Sequence, residues 1–277
     1  MKPRVMSLVI FTCVVGLLIS PINANPITSI ISLIAVALGA GAAGTLNMWY
    51  EADLDALMKR TCLRPIPTGK IKSNHALGFG IITSFLSVLV LYFFANLLSA
   101  MILAITIFFY VVIYTIWLKQ KTSQNIVIGG AAGAFPPIIG WTITTGSISL
   151  EPILLFLIIF FWTPSHFWAL SLYKTEDYNN AKIPMLPVVA GIQTTKINIF
   201  VYSVILFIVT LTPVYFGYFG TLYLLFSLFL GFYYMYLCYK LLIEKHDFKR
   251  IAKNIFLYSI LYLFLIFCII LLDNIII

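Results

Sequence analysis

Charge is what this chain has little of. Only 9% of its 277 residues are Asp, Glu, Lys or Arg, against the quarter or so usual in soluble domains. With 62% of the residues hydrophobic, too little polar side chain remains to cover a particle in water, which excludes a soluble globular protein. The net charge of +8 forms no tract of the kind that binds nucleic acid. The basic residues border apolar runs instead, so anionic lipid headgroups and anionic substrates are the expected partners, and nucleic acid is not. Cysteine is sparse too. Cys13, Cys62, Cys238 and Cys268 contain no CxxC pair and three lie in apolar runs, so they read as small core residues, with no sign of a disulfide framework or a zinc site. An Arg-rich, Ser-rich transit segment is also missing, which favours a bacterial plasma (inner) membrane over an organelle. The first residues, MKPRVMSLVIFTCVVGLLISP, lack a clear small-x-small cleavage site and read as a first span rather than a removed signal.

What charge there is has a pattern. All 17 Lys and Arg fall in five clusters: Lys2 and Arg4, Lys59 to Lys72, Lys119 and Lys121, Lys174 to Lys196, and Lys240 to Lys253. Stretches of 54, 46, 52 and 43 residues without a basic residue separate them, and a last one of 24 follows. A membrane crossing takes about 20 helical residues, so each long stretch holds two crossings and the last holds one. The expectation is an all-α, polytopic membrane protein of nine transmembrane helices in one domain spanning 1–277. Its basic loops and N-terminus would be cytoplasmic. The expected spans are 5–22, 27–48, 76–96, 98–118, 125–145, 152–173, 197–217, 221–243 and 254–273. The outer connections are tight and the inner ones, 49–75 and 174–196, are long and polar, so the working face is expected on the inside. Small residues at four-residue spacing from Ala37 and from Gly129 predict close helix packing, and Pro136-Pro137 predicts a kink in the fifth span. A faint repeat, with an acidic cluster and a Pro-rich loop after the second span and again after the sixth, suggests a four-helix duplication.

The sharpest local pattern is Asn47-x3-Glu51-x3-Asp55. On a continuous helix these side chains share a face within about 80°. Stacked oxygen groups at the end of an apolar helix repel each other and need a partner, and a divalent cation shared with phosphate oxygens supplies one. The plainer alternative is a solvated acidic helix end balanced by Lys59 and Arg60. Lys59, Arg60 and Arg64 beside those acids suit a metal-bound polyanion such as diphosphate, whereas Lys70 and Lys72 read as ordinary inner-side charge. On the sixth span His166, Tyr173 and Asp177 occupy one stripe. Asp177 is a candidate second metal ligand, and a hydrogen-bonded packing role is an equal alternative for His166. Lys119 and Trp117 make a third inner polar patch. Trp49, Tyr50, Tyr114, Phe135 and Trp168 lie near the acidic face, where aromatic faces stabilise a cation, or they pack in the core.

Taken together, these strings resemble a known family. NMWYEADLDALMKRTCLRPIP from Asn47 is similar to the Asn-x3-acid-x3-Asp motif of the UbiA-type intramembrane prenyltransferases. KPRVMSLVIFT, WLKQKTSQNIVIGGAAGAFPPIIGW and SHFWALSLYKTEDY resemble the haem-farnesylating branch of that family, over residues 2 to about 191. The resemblance implies transfer of the farnesyl group of farnesyl diphosphate to the 2-vinyl group of haem B, giving haem O. It implies that Asn47, Glu51 and Asp55 hold Mg2+ and diphosphate, with Asp177 in a second acidic motif. Lys59, Arg60, Arg64, Lys119 and Lys174 would neutralise diphosphate, and Trp49, Tyr114, His166, Trp168 and Tyr173 would line the substrate pocket. Haem A synthase or terminal-oxidase assembly would receive the product. Two departures stand out: Glu51 where the family often has Asp, and Tyr173 where a second acidic residue often precedes Asp177. The alternatives are a prenyltransferase for a quinone precursor such as 4-hydroxybenzoate, a secondary transporter and a non-catalytic oxidase assembly factor.

Overall fold

The computed structural model describes residues 3–23, 25–59 and 61–276, with the side chains of 3–5 left aside. Among them the regular structure is entirely helical. In chain order the helices are α1 (Pro3–Leu18), α2 (Pro26–Tyr50), α3 (Ala52–Leu57), α4 (Ser73–Phe94), α5 (Leu97–Phe108), α6 (Asn125–Ala134), α7 (Pro136–Thr145) and α8 (Leu150–Tyr173). There follow α9 (Thr175–Asn180), α10 (Leu186–Val189), α11 (Ile192–Tyr215), α12 (Thr221–Ile243) and α13 (Phe248–Ile276). A π-helix, Phe109–Leu118, continues α5. Among the described residues, eight rods are long and apolar enough to cross a membrane, counting α5 with its π-helix and α6 with α7 as one rod each. The chain is a multi-pass membrane protein. α1 is apolar but shorter, and it stops at Leu18 rather than at the expected residue 22. The turn through Ser20 and Pro21 explains this, because the residue before a proline is driven out of the helical region.

Large apolar side chains such as Phe79, Phe85, Phe93 and Phe229 are exposed on the outside of the bundle, as a lipid solvent requires. The fifth span breaks at Phe135, and Pro136 and Pro137 open α7 at its first positions, where the missing N–H groups cost nothing. Close approach does the packing. A Cβ placed on Gly140 would stand 1.9 Å from the Cys13 carbonyl oxygen, and one on Gly16 would stand 2.1 Å from that of Pro137. These glycines set α1 directly on α7. At the end of α13 away from Phe248, Asp273 accepts hydrogen bonds from the backbone N–H groups of Gly220 (2.6 Å) and Tyr223 (3.1 Å). It thereby caps α12 from another helix and offsets the burial of its charge. All four cysteines are free.

The end of the bundle that carries the acidic motif departs from straight rods in a way that builds the site. α2 and α8 each give way to a six-residue helix, α3 and α9, carrying Asp55 and Asp177. Met58 beyond α3, Ile126 of α6, Tyr178 of α9 and Ala181, Ile183 and Met185 beyond it bury one another in a small cluster. That cluster joins the two acidic segments into one cap over the bundle. α13 begins at Phe248 rather than at residue 254, because Lys249, Arg250 and Lys253 ride on the first turns of the helix.

Candidate active site

The three residues of the first motif do not lie on one uninterrupted helix. α2 ends at Tyr50, and Glu51 (φ −94°, ψ 13°) is the joint to α3. The ladder nevertheless carries across the joint: Glu51 N–H donates to the Asn47 carbonyl at 3.0 Å and Asp55 N–H to the Glu51 carbonyl at 2.8 Å. Four-residue spacing therefore survives the bend. Glu51 and Asp55 are each 3% exposed and Asn47 1%, so two carboxylates are buried at the end of α2 and must be paired.

Their partners come from two directions. Arg64, in the loop after α3, donates to Asp55 Oδ2 at 2.6 Å. Lys119, just past the π-helix, stands 2.6 Å from the Glu51 carboxylate and donates to Oε2. Glu51 Oε1 is buried and accepts no hydrogen bond of its own. Asn47 Nδ2 donates to Thr115 Oγ1 at 3.0 Å, and Thr115 Oγ1 donates in turn to the Tyr110 carbonyl at 2.8 Å. With its hydroxyl hydrogen spent on that carbonyl, Thr115 offers Asn47 only an acceptor. It thereby holds the amide nitrogen and sets the direction of Asn47 Oδ1.

The π-helix makes this arrangement. Residues five apart are neighbours in a π-helix, so Tyr110 and Thr115 share a face, and the Lys119 N–H bonds to the Tyr114 carbonyl at 2.9 Å. Tyr110 lies in the field of Glu51, Asp55, Lys119 and Arg64 together. It also lines an apolar cleft of about 120 Å³ with Gly44, Val36, Met6, Leu103 and Ala132. The cleft reaches α2 at Gly44, within one turn of Asn47, and follows it to Val36. Replacing Thr115 by Val is expected to cut kcat by about 10-fold with little change in the KM for the acceptor. Thr115→Ser should keep most of the activity, the loss being worth the one neutral hydrogen bond of roughly 1 kcal/mol. A steady-state comparison of the two variants checks this.

Asp177 on α9 is 8% exposed. The two inner segments are close: the field of Lys59 reaches Glu176, whose carboxyl is held below the usual range chiefly by its hydrogen bond and ion pair with Lys249, with Lys59 and Lys174 adding to it. Still, no three His, Cys, Asp or Glu among the described residues stand close enough to hold a metal unaided. Lys59 is exposed, and Arg60 lies outside the described residues. Lys174 Nζ is 4.7 Å from the Tyr173 ring centroid, not on the acid pair.

The expected aromatic residues divide. Tyr114 stacks obliquely on Tyr110, centroids 5.5 Å apart, and covers Gly129 of α6, so it belongs to the wall beside the site. Trp49 is half-buried next to Tyr50. Trp168 is 1% exposed, in the core, edge-on to Tyr202. His166 is stacked between Trp162 and Phe256, at 4.2 and 4.6 Å, with Nδ1 2.6 Å from Ser259 Oγ. Tyr173 is half-buried against the same core. Thr115 and Tyr110 are site residues that helical spacing passes over, because nothing in their sequence marks the change from α to π register.

The donor set suits Mg2+. It consists of two carboxylates and an amide oxygen, with Glu51 Oε1 held by the Lys119 charge but by no hydrogen bond, and the rest of the coordination left to water and phosphate. Comparison with known proteins agrees with that chemistry. Residues 9–261 match the model of the UbiA prenyltransferase family. The protoheme IX farnesyltransferase of Pelagibacter ubique is 62% identical over 99% of this chain and 91% of its own length. Protoheme IX farnesyltransferase 2 of Mesorhizobium japonicum is 52% identical over 100% and 88%. Among solved structures, that of a digeranylgeranylglyceryl phosphate synthase superposes with a TM-score of 0.82 at 18% identity, over 99% of this chain and 95% of the other. A UbiA homologue from Archaeoglobus fulgidus bound to GPP and Mg2+ superposes with a TM-score of 0.67 at 18% identity, over 96% and 97%. Coverage and identity together place the chain in the UbiA prenyltransferase family.

Proposed function

We propose that this chain transfers the farnesyl group of farnesyl diphosphate to the 2-vinyl group of haem B (protohaem IX), giving haem O. The observation that carries the reaction type is a buried acidic pair with its own cations, whose field falls on Tyr110 in the wall of an apolar cleft. The 62% identity to a protoheme IX farnesyltransferase supports the haem acceptor over a quinone precursor.

Asn47, Glu51 and Asp55 would hold Mg2+, with Asp177 contributing from the facing segment. The metal, when bound, supplies Lewis-acid stabilisation of the diphosphate leaving group. Arg64 and Lys119 are the cations nearest that leaving group, and they take up charge as the allylic C–O bond breaks. Lys59 adds to the positive field over the acidic segments, and Arg60, outside the described residues, is assigned to diphosphate by its place in the sequence alone. The cleft walls exclude water from the allylic cation until the vinyl group attacks, and Tyr110 and Tyr114 present π faces beside it. Addition of water then completes the hydroxyethylfarnesyl side chain.

Placed in a bacterial inner membrane, with α1 as a ninth crossing and the N-terminus inside, the site opens to the cytoplasm, where the basic loops lie. The paired endings of α2–α3 and α8–α9 support a duplicated four-helix origin. Haem A synthase or oxidase assembly would take the product. The test is purified protein given haem B, farnesyl diphosphate and Mg2+, with products read by mass. Haem O is expected; farnesylated 4-hydroxybenzoate with no haem O would replace the acceptor in this reading.

A further inference from the structure

The seam between α8 and α13 ends at the inner surface in a cluster that the diphosphate site does not use. The two helices run antiparallel, and their contacts form a ladder. Trp162 Nε1 donates to the Ser259 carbonyl at 2.8 Å, and His166 stacks on Phe256. Lys253 Nζ stands 5.8 Å from the Tyr173 ring centroid, and Lys249 pairs with Glu176 at 2.8 Å. Lys174, next to Tyr173 in the chain, brings its ammonium to within 4.7 Å of the same ring. Two cations thus converge on one aromatic ring, no farther apart than those two distances allow together.

Among the described residues neither cation is in an ion pair, although Lys174 adds to the field on Glu176. The ion pairs among the described residues are Arg64–Asp55, Lys119–Glu51, Lys249–Glu176 and Arg250–Asp247. Lys174 and Lys253 are in none of them. Like charges brought together on a partly buried ring repel each other, and an oxyanion seated between them relieves that. Arg64 and Lys119 already stand on the acids that would bind the diphosphate, so the Lys174–Lys253 pair is available for a different anion.

We propose that Lys174 and Lys253, with Tyr173 as their platform, bind the propionate carboxylates of the tetrapyrrole acceptor. This rests on the haem reading above and assigns Lys174 to the acceptor rather than to diphosphate. Haem carries both propionates on one edge and its vinyl groups away from them. An enzyme that keeps the propionates at the polar helix ends therefore directs the vinyl side into the bundle, where the reacting carbon has to go. Lys–carboxylate recognition at this position is a matter of specificity: it selects and orients the acceptor and leaves ionisation of the donor untouched.

The experiment compares protohaem with its dimethyl ester in wild type, Lys253→Gln and the Lys174→Gln/Lys253→Gln double variant. KM is measured for each acceptor and for farnesyl diphosphate. Wild type is expected to disfavour the ester by about 10-fold or more in KM, and the double variant to lose that preference by raising the protohaem KM alone. Turnover of the ester reports that each variant is folded. A preference retained in the double variant, or no preference in wild type, overturns the proposal. A raised KM for farnesyl diphosphate instead would return Lys174 to the diphosphate. No change in any KM would leave both lysines to lipid headgroup phosphates, and either outcome rejects the assignment. Absence of haem O from wild type would be a failure of the haem reading itself, recognisable before any variant is made.

Discussion

Glu51→Gln and Asp55→Asn are each expected to lower kcat/KM by about 10²- to 10³-fold, the usual cost of removing one group that stabilises developing charge. The substitutions are nearly isosteric and keep the backbone ladder through Asn47, Glu51 and Asp55, so the change is electrical. Each also strips a half-buried cation of its partner: Lys119 loses Glu51 and Arg64 loses Asp55. Breaking a buried pair from one side costs about 3–5 kcal/mol where burial is complete. Here the cations are 19% exposed at the side chain, so the stability loss should fall well below that range while the activity loss remains large. Activity and the thermal midpoint in detergent, measured on the same preparations, separate the two. Full activity in both variants would remove these carboxylates from the mechanism.

The second large effect is structural. Gly140→Ala puts a methyl group where only 1.9 Å separates it from the Cys13 carbonyl oxygen and 2.8 Å from the Leu17 nitrogen. Both obstacles are backbone, so no side chain can swing away and α1 must lift off α7. Overpacking of this kind costs about 1–3 kcal/mol or more. Gly78→Ala is the control, because a Cβ there meets nothing within 4 Å and should be neutral or slightly stabilising. A thermal denaturation series in micelles should show a clear drop for Gly140→Ala and none for Gly78→Ala. Because α1 also lines the cleft through Met6 and Val9, the Gly140 variant should lose activity with its stability.

Much of this was legible in the residues, for identifiable reasons. Spacing of basic residues marks helix ends in lipid, so most rods fall within a few residues of expectation. Four-residue spacing of Asn47, Glu51 and Asp55 reflects a hydrogen-bond ladder that the joint at Glu51 leaves intact. The joint itself was hidden, since neither Gly nor Pro marks Tyr50 to Ala52. The π-helix was hidden more deeply. Phe109–Leu118 reads FYVVIYTIWL, a run that suits any buried helix, and only the packed structure shows Thr115 turned to Asn47. The α8–α13 cluster escaped because Lys253 sits in a basic group that inner-side charge already explains.

The central claim is that a Mg2+–diphosphate complex is gripped between the ends of α2 and α8. The most direct measurement is calorimetric binding of a non-hydrolysable farnesyl diphosphate analogue, with and without Mg2+, to wild type, Glu51→Gln and Asp177→Asn. Mg2+ is expected to tighten binding to wild type by about 10-fold or more, and both variants are expected to lose most of that gain while metal-free binding stays the same. Equal binding with and without Mg2+ in wild type, or an undiminished Mg2+ effect in both variants, would contradict that claim.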